Sequence, residues 1–577
     1  MIPLPKQHTA LVEQAIRSAQ ATGDLPEFEV PKIEIKGPKN PEHGDYACPV
    51  ALALAKVARR KPLDIANTIA THIPSAEFMA SVDVAPPGFL NFRLSEDWLR
   101  AQIDTIIQAG DQFALLDVGA GKRAQVEFVS ANPTGPLHIG RSRGAVVGDS
   151  IARILEAAGY AVEREYYFNN AGMQMQNLGN SMRLRYLEAL GKPVTIPDKE
   201  DMSFYRGEYL IDFAKDLAAE KGDSLVDEDW QPFKEYAEVR MFEVIKATLA
   251  RISIHHDYFY NENTVYDNGA VWQTLEQLDT KGFVYEAVGR QGDDGEGMPQ
   301  KEAPPQSDAA APAKWFRTTQ LGDSKDRVLV KGDGKPTYVL PDIAYHIDKI
   351  NRGFDLLVNV LGADHFIEAQ VVKYGLTALG YDVGYLHVPL VQMVRMIRDG
   401  EEVKMSTRAG EYDTLDDLID QTSADAVRYI LLTRNPDSQM DFDLDLAVKQ
   451  SNENPVYYIQ YAHVRCAGIF REAAARGVRP EGADLSLLGD EELRFVRKCL
   501  ELAEQIEFCA GTLVPHGIAH YAQDLANQFH PMYDRVRVFG DQVSPELAKA
   551  RLRFYQAAQT VFKRALTLLG MSAPERM

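Results

Sequence analysis

Residues 124–168 read AQVEFVSANPTGPLHIGRSRGAVVGDSIARILEAAGYAVEREYYF, and the fold turns on how this stretch is parsed. AQVEFV, 124–129, is a short apolar, β-prone run and reads as a strand. Pro133, Gly135, Pro136 and Gly140 punctuate a loop. Beyond it Gly148, Ile151, Ala152 and Leu155 share one face of a helix, and Gly159 supplies its stop. AVEREYYF, 161–168, alternates and reads as the next strand. Strand, loop, helix, strand predicts an α/β fold with a parallel, Rossmann-like sheet.

The same stretch poses a chemical choice. Gly140-Arg-Ser-Arg-Gly144 matches the G-x-S-x-G elbow of serine hydrolases. That elbow needs a central strand running directly into the serine turn. Pro133 and Pro136 lie within ten residues of Ser142, and a central strand does not tolerate proline. Ser142 is therefore read as a chance match. Gly119-Ala-Gly-Lys122 fails as a P-loop, since Leu116 and Arg123 stand where that pattern wants glycine and Ser/Thr. The other reading of the loop is an anion and nucleotide site. The end of a strand leads into a helix start, whose amides favour phosphate oxygens. Gly140 admits a flat base to the backbone, and His138 and Arg141 can donate to phosphate. A plain connection with a solvent histidine fits equally, so both readings stand.

Two further stretches invite the same question. EVKMSTRAG, 402–410, sets Lys404, Ser406 and Arg408 in a short cationic loop suited to a departing polyphosphate, or simply to solvent. GKPTYVLPD, 334–342, precedes LGADH, 361–365. Tyr338 and Asp342 are four apart and face one pocket if Asp342 begins a helix. Asp342 is then either a helix cap or the counter-ion of a cationic ligand.

The 577 residues imply several domains. Residues 1–115 read as a small α+β unit, with helical periodicity in LVEQAIRSAQ and ALALAKVARR and strands around the Pro-Pro-Gly turn of VDVAPPGFLNFRL. Residues 116–400 read as the parallel-sheet domain, interrupted at about 175–320 by an insertion that is helical to about 255. Within it 290–312, rich in Gly, Pro, Ala and acid, is expected to be a mobile surface loop. The sheet pattern resumes with DRVLV, GFDLLVNVLGADH and YLHVPLVQMV. Residues 401–450 form a connecting segment. Residues 451–577 are helical, with Ile518, Tyr521, Ala522, Leu525 and Phe529 on one buried face.

Net charge is −21, which argues against a nucleic-acid partner, yet residues 451–577 hold 15 basic and 15 acidic side chains. The acidic excess thus lies in residues 1–450. Cys48, Cys466, Cys499 and Cys509 form no C-x-x-C and read as core thiols in a reducing compartment. MIPLPKQHTALVEQAI lacks the pattern of a signal peptide, and no apolar run spans a bilayer, so a cytoplasmic location is expected.

Together these motifs resemble a class I aminoacyl-tRNA synthetase. HIGR, 138–141, is similar to that class's HIGH signature and KMSTR, 404–408, to its KMSKS signature, in the same order. Across nearly the whole chain the closer resemblance is to arginyl-tRNA synthetases of bacterial type. It lies in SANPTGPLHIG, YYFNNAG, WFRTTQLGDSKDRVLVKGDGKPTYVLPDIAYH, LGADH and the carboxy-terminal LGMSAPERM. HGDYACPVALALAK and VAPPGFLNF resemble that family's amino-terminal tRNA-contacting domain, and NPVYYIQYAHVRC its anticodon-binding bundle.

The resemblance implies an activity: arginine and ATP give arginyl-adenylate and pyrophosphate, and arginine then passes to the terminal ribose of tRNA(Arg). It implies that tRNA is needed for the first step, that ATP enters as Mg-ATP with no tightly bound cofactor and no protein-bound metal, and that the enzyme is a monomer without membrane contact. It assigns catalytic roles to His138, Arg141, Lys404, Ser406 and Arg408. ATP contacts fall to Pro133, Gly140, Gly362, Asp364, His365 and Met405. Arginine contacts fall to Glu127, Ser130, Asn132, His138, Tyr338, Asp342 and His365, with Asp342 on the guanidinium. Contacts to tRNA fall to Tyr457, Gln460, Tyr461, Arg465 and Met577, although aromatics at helical spacing are more often core. The attacking group is then arginine's own carboxylate, so no serine nucleophile is required. Two residues depart from the family pattern: Arg141 replaces the last histidine of HIGH, and Thr407 the second lysine of KMSKS. A rival reading is an RNA-binding paralogue without catalysis; another is a nucleotidyl transferase for a small acid, which would not need the carboxy-terminal helices.

Overall fold

The computed structural model describes residues 1–38, 40–198, 200–201, 203–288, 311–403 and 414–577. Nearly all of 290–312 and the whole of Lys404–Arg408 lie outside the described residues. The chain divides into two compact units. One comprises Met1–Ala120, Glu156–Gly159 and Lys449–Met577, the other Gly121–Leu155 and Tyr160–Val448.

In the first unit an antiparallel sheet in the order Tyr46–Cys48, Phe89–Leu94, Met79–Ala85 carries the helices Leu4–Ala21, Val50–Ala58 and Pro62–His72. Four long helices, Pro455–Arg476, Asp490–Thr512, His516–Arg535 and Pro545–Leu568, build the carboxy-terminal bundle. Their starts are set locally. Asn454 and Ser544 cap with their side chains, and proline follows each at the first helical position, where no amide partner is needed. The face Ile518, Tyr521, Ala522, Leu525, Phe529 is buried as its periodicity predicts. All four cysteines are buried free thiols. Within this unit Asp45 pairs with Arg497 at 2.5 Å and Asp104 with Arg553 at 2.7 Å.

The second unit is built on five parallel strands: β1 Arg123–Glu127, β2 Ala161–Phe168, β3 Tyr258–Asn261, β4 Leu356–Asn359 and β5 Leu386–His387, in the order β5-β4-β1-β2-β3. The order reverses beside β1, which places a crevice at the carboxyl ends of β1 and β4. Helix α1 (Ser142–Ala157) links β1 to β2, α2 (Val339–Asn351) precedes β4, and α3 (Phe366–Leu379) follows it. Helix α1 lies close on the sheet because Gly148 has no side chain; a Cβ there would overlap Phe128.

Two sheet expectations need correction. DRVLV does not join the parallel sheet: Arg327–Val330 is the edge of a separate antiparallel sheet with Ala313–Phe316 and Val284–Ala287. Conversely, Tyr258–Asn261, inside the stretch read as an insertion, is the edge strand beside β2. Both runs are four residues long, and a run that short carries no information about its partner.

Candidate functional site

Strand β1 ends at Glu127 and the chain turns sharply. Val129 has φ +70° and Ser130 φ +43°, a region that costs an L-residue roughly 1–2 kcal/mol and is rare for a β-branched one. Ser130 N closes the turn on Phe128 O at 3.0 Å. The turn aims Ser130 Oγ at Glu127 Oε1, to which it donates at 2.9 Å, and the same Oγ accepts from Tyr167 N at 3.2 Å.

The other oxygen of Glu127 faces α2. Its Oε2 accepts from Lys349 Nζ at 2.5 Å and lies 3.1 Å from Tyr345 Oη, whose one proton is shared with the nearer Glu165. Lys349 is fully buried, also donates to Asn359 Oδ1 at 2.9 Å, and lies 4.4 Å over the Tyr345 ring. Asn359 Nδ2 donates to His346 Nε2 at 2.7 Å. The His346 proton therefore sits on Nδ1, which donates to Asp342 O at 2.8 Å. Burial and Lys349 push His346 down to about 4, so it is neutral. Burial opposes charge on Glu127, but Lys349, helped by the hydrogen bond from Ser130, holds the carboxyl below its usual range. Behind this layer Glu165 accepts from Gln125 at 2.8 Å, from Tyr345, and from both amino groups of Arg352 at 2.6 and 3.1 Å.

Asp342 occupies the first turn of α2 and is half-buried. Among the described residues no hydrogen bond reaches its carboxylate. Burial and the charges of Glu262, Glu127 and Glu368 push its pKa well above the usual range, against the pull of Lys349. Glu262, buried just after β3, accepts from Tyr167 Oη at 2.7 Å and is itself pushed up by burial. Tyr345 packs on Tyr167 and Tyr260 with ring centroids 4.5 and 4.6 Å away. Without a cation, a carboxylate set among acids is unfavourable. A guanidinium meets it best, because its planar fork offers paired N–H donors.

The loop after β1 is held from below. Tyr166 Oη donates to Ala131 O at 2.8 Å and Tyr209 Oη to Thr134 O at 2.7 Å. Pro133 is buried. Asn132 Oδ1 accepts from Asn169 N at 3.0 Å and its Nδ2 donates to Gln174 at 3.2 Å. Exposed His138 caps the short turn Ile139–Arg141, its Nδ1 accepting from Gly140 N at 3.0 Å, which leaves Nε2 as the N–H donor of a neutral ring. Gly140 and Arg141 are exposed. Ser142 is buried and its Oγ donates to Ile139 O at 2.6 Å, so the elbow reading fails on access as well as on topology. Thr414, six residues beyond Arg408, bridges His138, and Leu415 N donates to Leu137 O at 2.8 Å. At the end of β4, the Asp364 side chain fills the space a Cβ at Gly362 would need. His365 is bonded to Glu368, which raises its pKa.

Of the residues singled out from sequence, Glu127 and Ser130 are in direct contact, and Asp342 acts on the same cluster. His138 and Gly140 share one hydrogen bond, and Arg141 is close enough to bias His365. Tyr338 is 65% exposed and its hydroxyl has no hydrogen-bond partner among the described residues, and Lys404, Met405, Ser406 and Arg408 lie outside the described residues. In the first unit Tyr457 and Tyr461 stack at 5.7 Å, and Arg465 lies 4.9 Å over Tyr461. Gln460 differs from the sequence reading: it is buried, and its Nε2 donates to Ser572 O and Oγ at 3.1 and 3.2 Å. Met577 is exposed.

Sequence reasoning missed Glu262, Tyr345, His346, Lys349 and Asn359. One signal was available: Asp342, Tyr345, His346 and Lys349 recur at helical spacing within an apolar helix face, where a charge needs a partner.

Three family models match the chain: arginyl tRNA synthetase N terminal domain over residues 6–94, tRNA synthetases class I (R), catalytic domain over 102–296, and DALR anticodon binding domain over 459–577. The chain is 41% identical over 569 residues to an arginine–tRNA ligase of Carboxydothermus hydrogenoformans, covering 97% of both chains. It is 40% identical over 583 residues to one of Bacillus subtilis, covering 100% of both. A crystal structure of a putative arginyl-tRNA synthetase from Campylobacter jejuni superposes with TM-score 0.73 at 31% identity, over 84% of this chain and all of that one. The Thermus thermophilus arginyl-tRNA synthetase superposes with TM-score 0.74 over the full length of both at 20% identity, a likeness of fold.

Proposed function

The chain belongs to the arginyl-tRNA synthetases and is an arginine–tRNA ligase, charging tRNA(Arg) with arginine; from that premise we propose that its amino-acid pocket is built around Asp342. Membership in class I implies that it uses ATP. The observation that carries the reading is the Asp342 carboxylate, half-buried among Glu262, Glu127 and Glu368 with no hydrogen bond from the described residues.

The guanidinium of arginine sits on Asp342, with Glu262 and Tyr338 beside it. Glu127 Oε1, Ser130 and Asn132 receive the α-ammonium end, which aims the carboxylate at the crevice between β1 and β4. One carboxylate oxygen attacks the α-phosphorus of ATP; the bond to the bridging oxygen breaks and pyrophosphate leaves. The negative charge built up there is met by His138 Nε2–H and Arg141, and by Lys404, Ser406 and Arg408. The bridge from His138 to Thr414 supports bringing that segment to the polyphosphate. The adenosine lies over Pro133, Gly140 and Gly362, near Asp364, His365 and Met405. In the second step a hydroxyl of the terminal ribose attacks the arginyl carbonyl and AMP leaves. Magnesium arrives with the polyphosphate of ATP; among the described residues no group of three or more His, Cys, Asp or Glu is arranged to hold a metal.

We further propose that adenylate formation requires bound tRNA, that residues 1–115 and 451–577 contact it, and that Tyr457, Tyr461, Arg465 and Met577 meet its bases while Gln460 anchors the carboxy-terminal segment. We also propose that the enzyme works as a monomer. The work is cytoplasmic, where tRNA is charged for translation. No helix of the described residues is long and apolar enough to cross a membrane. Pyrophosphate exchange with arginine, with lysine, and with and without tRNA(Arg) tests the reading. Exchange with arginine alone among the two amino acids is expected, and equal exchange with lysine overturns the Asp342 assignment.

A further inference from the structure

Lys349 sits against Glu127 Oε2, fully buried, and nothing in the reaction uses it. We propose that Lys349 is a positioning residue for arginine: it keeps Glu127 ionised and turned so that Oε1 keeps a lone pair for the substrate's α-ammonium. This rests on the reading that Glu127 receives that ammonium.

A carboxylate has about four lone-pair sites, two on each oxygen. On Glu127 Oε2 one site is taken by Lys349 Nζ at 2.5 Å, and the other is covered by Tyr345 Oη at 3.1 Å, whose single proton lies toward Glu165. One site on Oε1 is taken by Ser130 Oγ. With Oε2 enclosed by Lys349 and Tyr345, the acceptor left for a substrate is on Oε1, and the grip of Lys349 on Oε2 fixes its direction. Lys349 is itself fixed by Asn359 Oδ1 and the face of Tyr345. Because Lys349 cannot leave without stranding a buried charge, the geometry persists in the unliganded enzyme.

The charge argument runs the same way. Glu127 is faced by Asp342, Tyr345, His346 and Lys349 on α2, by Glu165 and Tyr167 on β2, and by Glu262 behind Tyr167. His346 is neutral, Glu165 is matched by Arg352, and Asp342 and Glu262 are acids. Lys349 is thus the one cation among the described groups in contact with Glu127. Without it, burial and like charge both favour the protonated acid, which cannot accept from an ammonium with the same oxygen geometry.

The test is the pH dependence of kcat/KM for arginine and for ATP in Lys349→Met, Lys349→Arg and Glu127→Gln. In Lys349→Met, arginine use is expected to fall about tenfold per pH unit below a new pKa near or above neutrality, while ATP use lacks that limb. Lys349→Arg is expected to remove the limb. Glu127→Gln is expected to weaken arginine use at every pH with no limb beyond any that Asp342 supplies; an unchanged arginine KM there sinks the parent reading. If Glu127→Gln behaves as expected but Lys349→Met lowers arginine and ATP use together without a limb, the positioning role alone is overturned. Should Lys349→Met fail to fold, the unaltered enzyme decides: an acid limb between pH 6 and 7 in arginine use, absent from ATP use and abolished by Glu127→Gln, overturns the proposal, and a flat profile, or a limb that Glu127→Gln leaves in place because it belongs to Asp342, supports it.

Discussion

Asp342→Asn should make the protein more stable and nearly unable to use arginine. The amide is isosteric, so packing is kept and only charge is removed. In the unliganded fold the Asp342 carboxylate bears the cost of burial and the repulsion of Glu262, Glu127 and Glu368 with no hydrogen bond from the described residues to offset it. Relieving a partly buried, unpaired polar group is worth about 1–3 kcal/mol. Losing the partner of a desolvated, charge-assisted pair costs about 2–5 kcal/mol, which converts to a fall of about 30- to 4000-fold in kcat/KM for arginine. The pH dependence has a definite sign. The folded pKa of Asp342 is raised, so the fold holds a proton that the unfolded chain releases near pH 3.9. Stability from that proton is complete below this value and is lost as pH climbs through the raised folded value. The variant lacks that decline, so its advantage should be absent near pH 3.5 and grow as pH rises through the raised value. Thermal melts across pH, with steady-state aminoacylation varying arginine and then ATP, measure both effects. A variant less stable than the parent at pH 8, or one losing ATP use as much as arginine use, would refute the reasoning.

Three other perturbations follow from the same geometry. Ser142→Ala removes a buried bond to Ile139 O and should cost about 1 kcal/mol in melting experiments, while arginylation at saturating substrates is retained; abolished turnover in a folded variant would revive the nucleophile. Gly148→Ala drives a methyl into Phe128 and should destabilise by about 1–3 kcal/mol, lowering arginine and ATP use together because the β1 loop moves as one body; a neutral melt would contradict the close approach of α1. The hydrogen bond to Glu368 raises the pKa of His365, so the stability from their pairing is fully present below the ordinary histidine pKa and fades as pH rises through the raised value. Glu368→Gln should bring the His365 titration, followed by NMR, down toward the ordinary range; an unmoved titration would mean that the contact is not made in solution.

What the chain announces by itself is whatever depends on near neighbours. The β1 loop is legible because proline and glycine restrict or free the backbone where they stand, and α1 because its apolar face repeats at the helical period. The bundle helices are legible from Asn454, Ser544 and the prolines that follow them, whose effects reach only a turn. Asp342 as a carboxylate at a helix start and the unsuitability of Ser142 are read the same way. The tertiary structure decided the rest, because it depends on pairs separated by long stretches of chain. Lys349 and Glu127 are 222 residues apart, and Arg428 and Asp149 are 279 apart. Nothing in the residues around Lys349 says which acid it meets. Strand runs of four residues, such as Tyr258–Asn261 and Arg327–Val330, find their sheets through packing of whole layers. Gln460 likewise belongs to a tyrosine-rich helix by spacing, and only the folded carboxy-terminus shows that its amide is engaged by Ser572. Burial removes water as the default partner, and which protein group replaces it is settled by the arrangement of the whole chain.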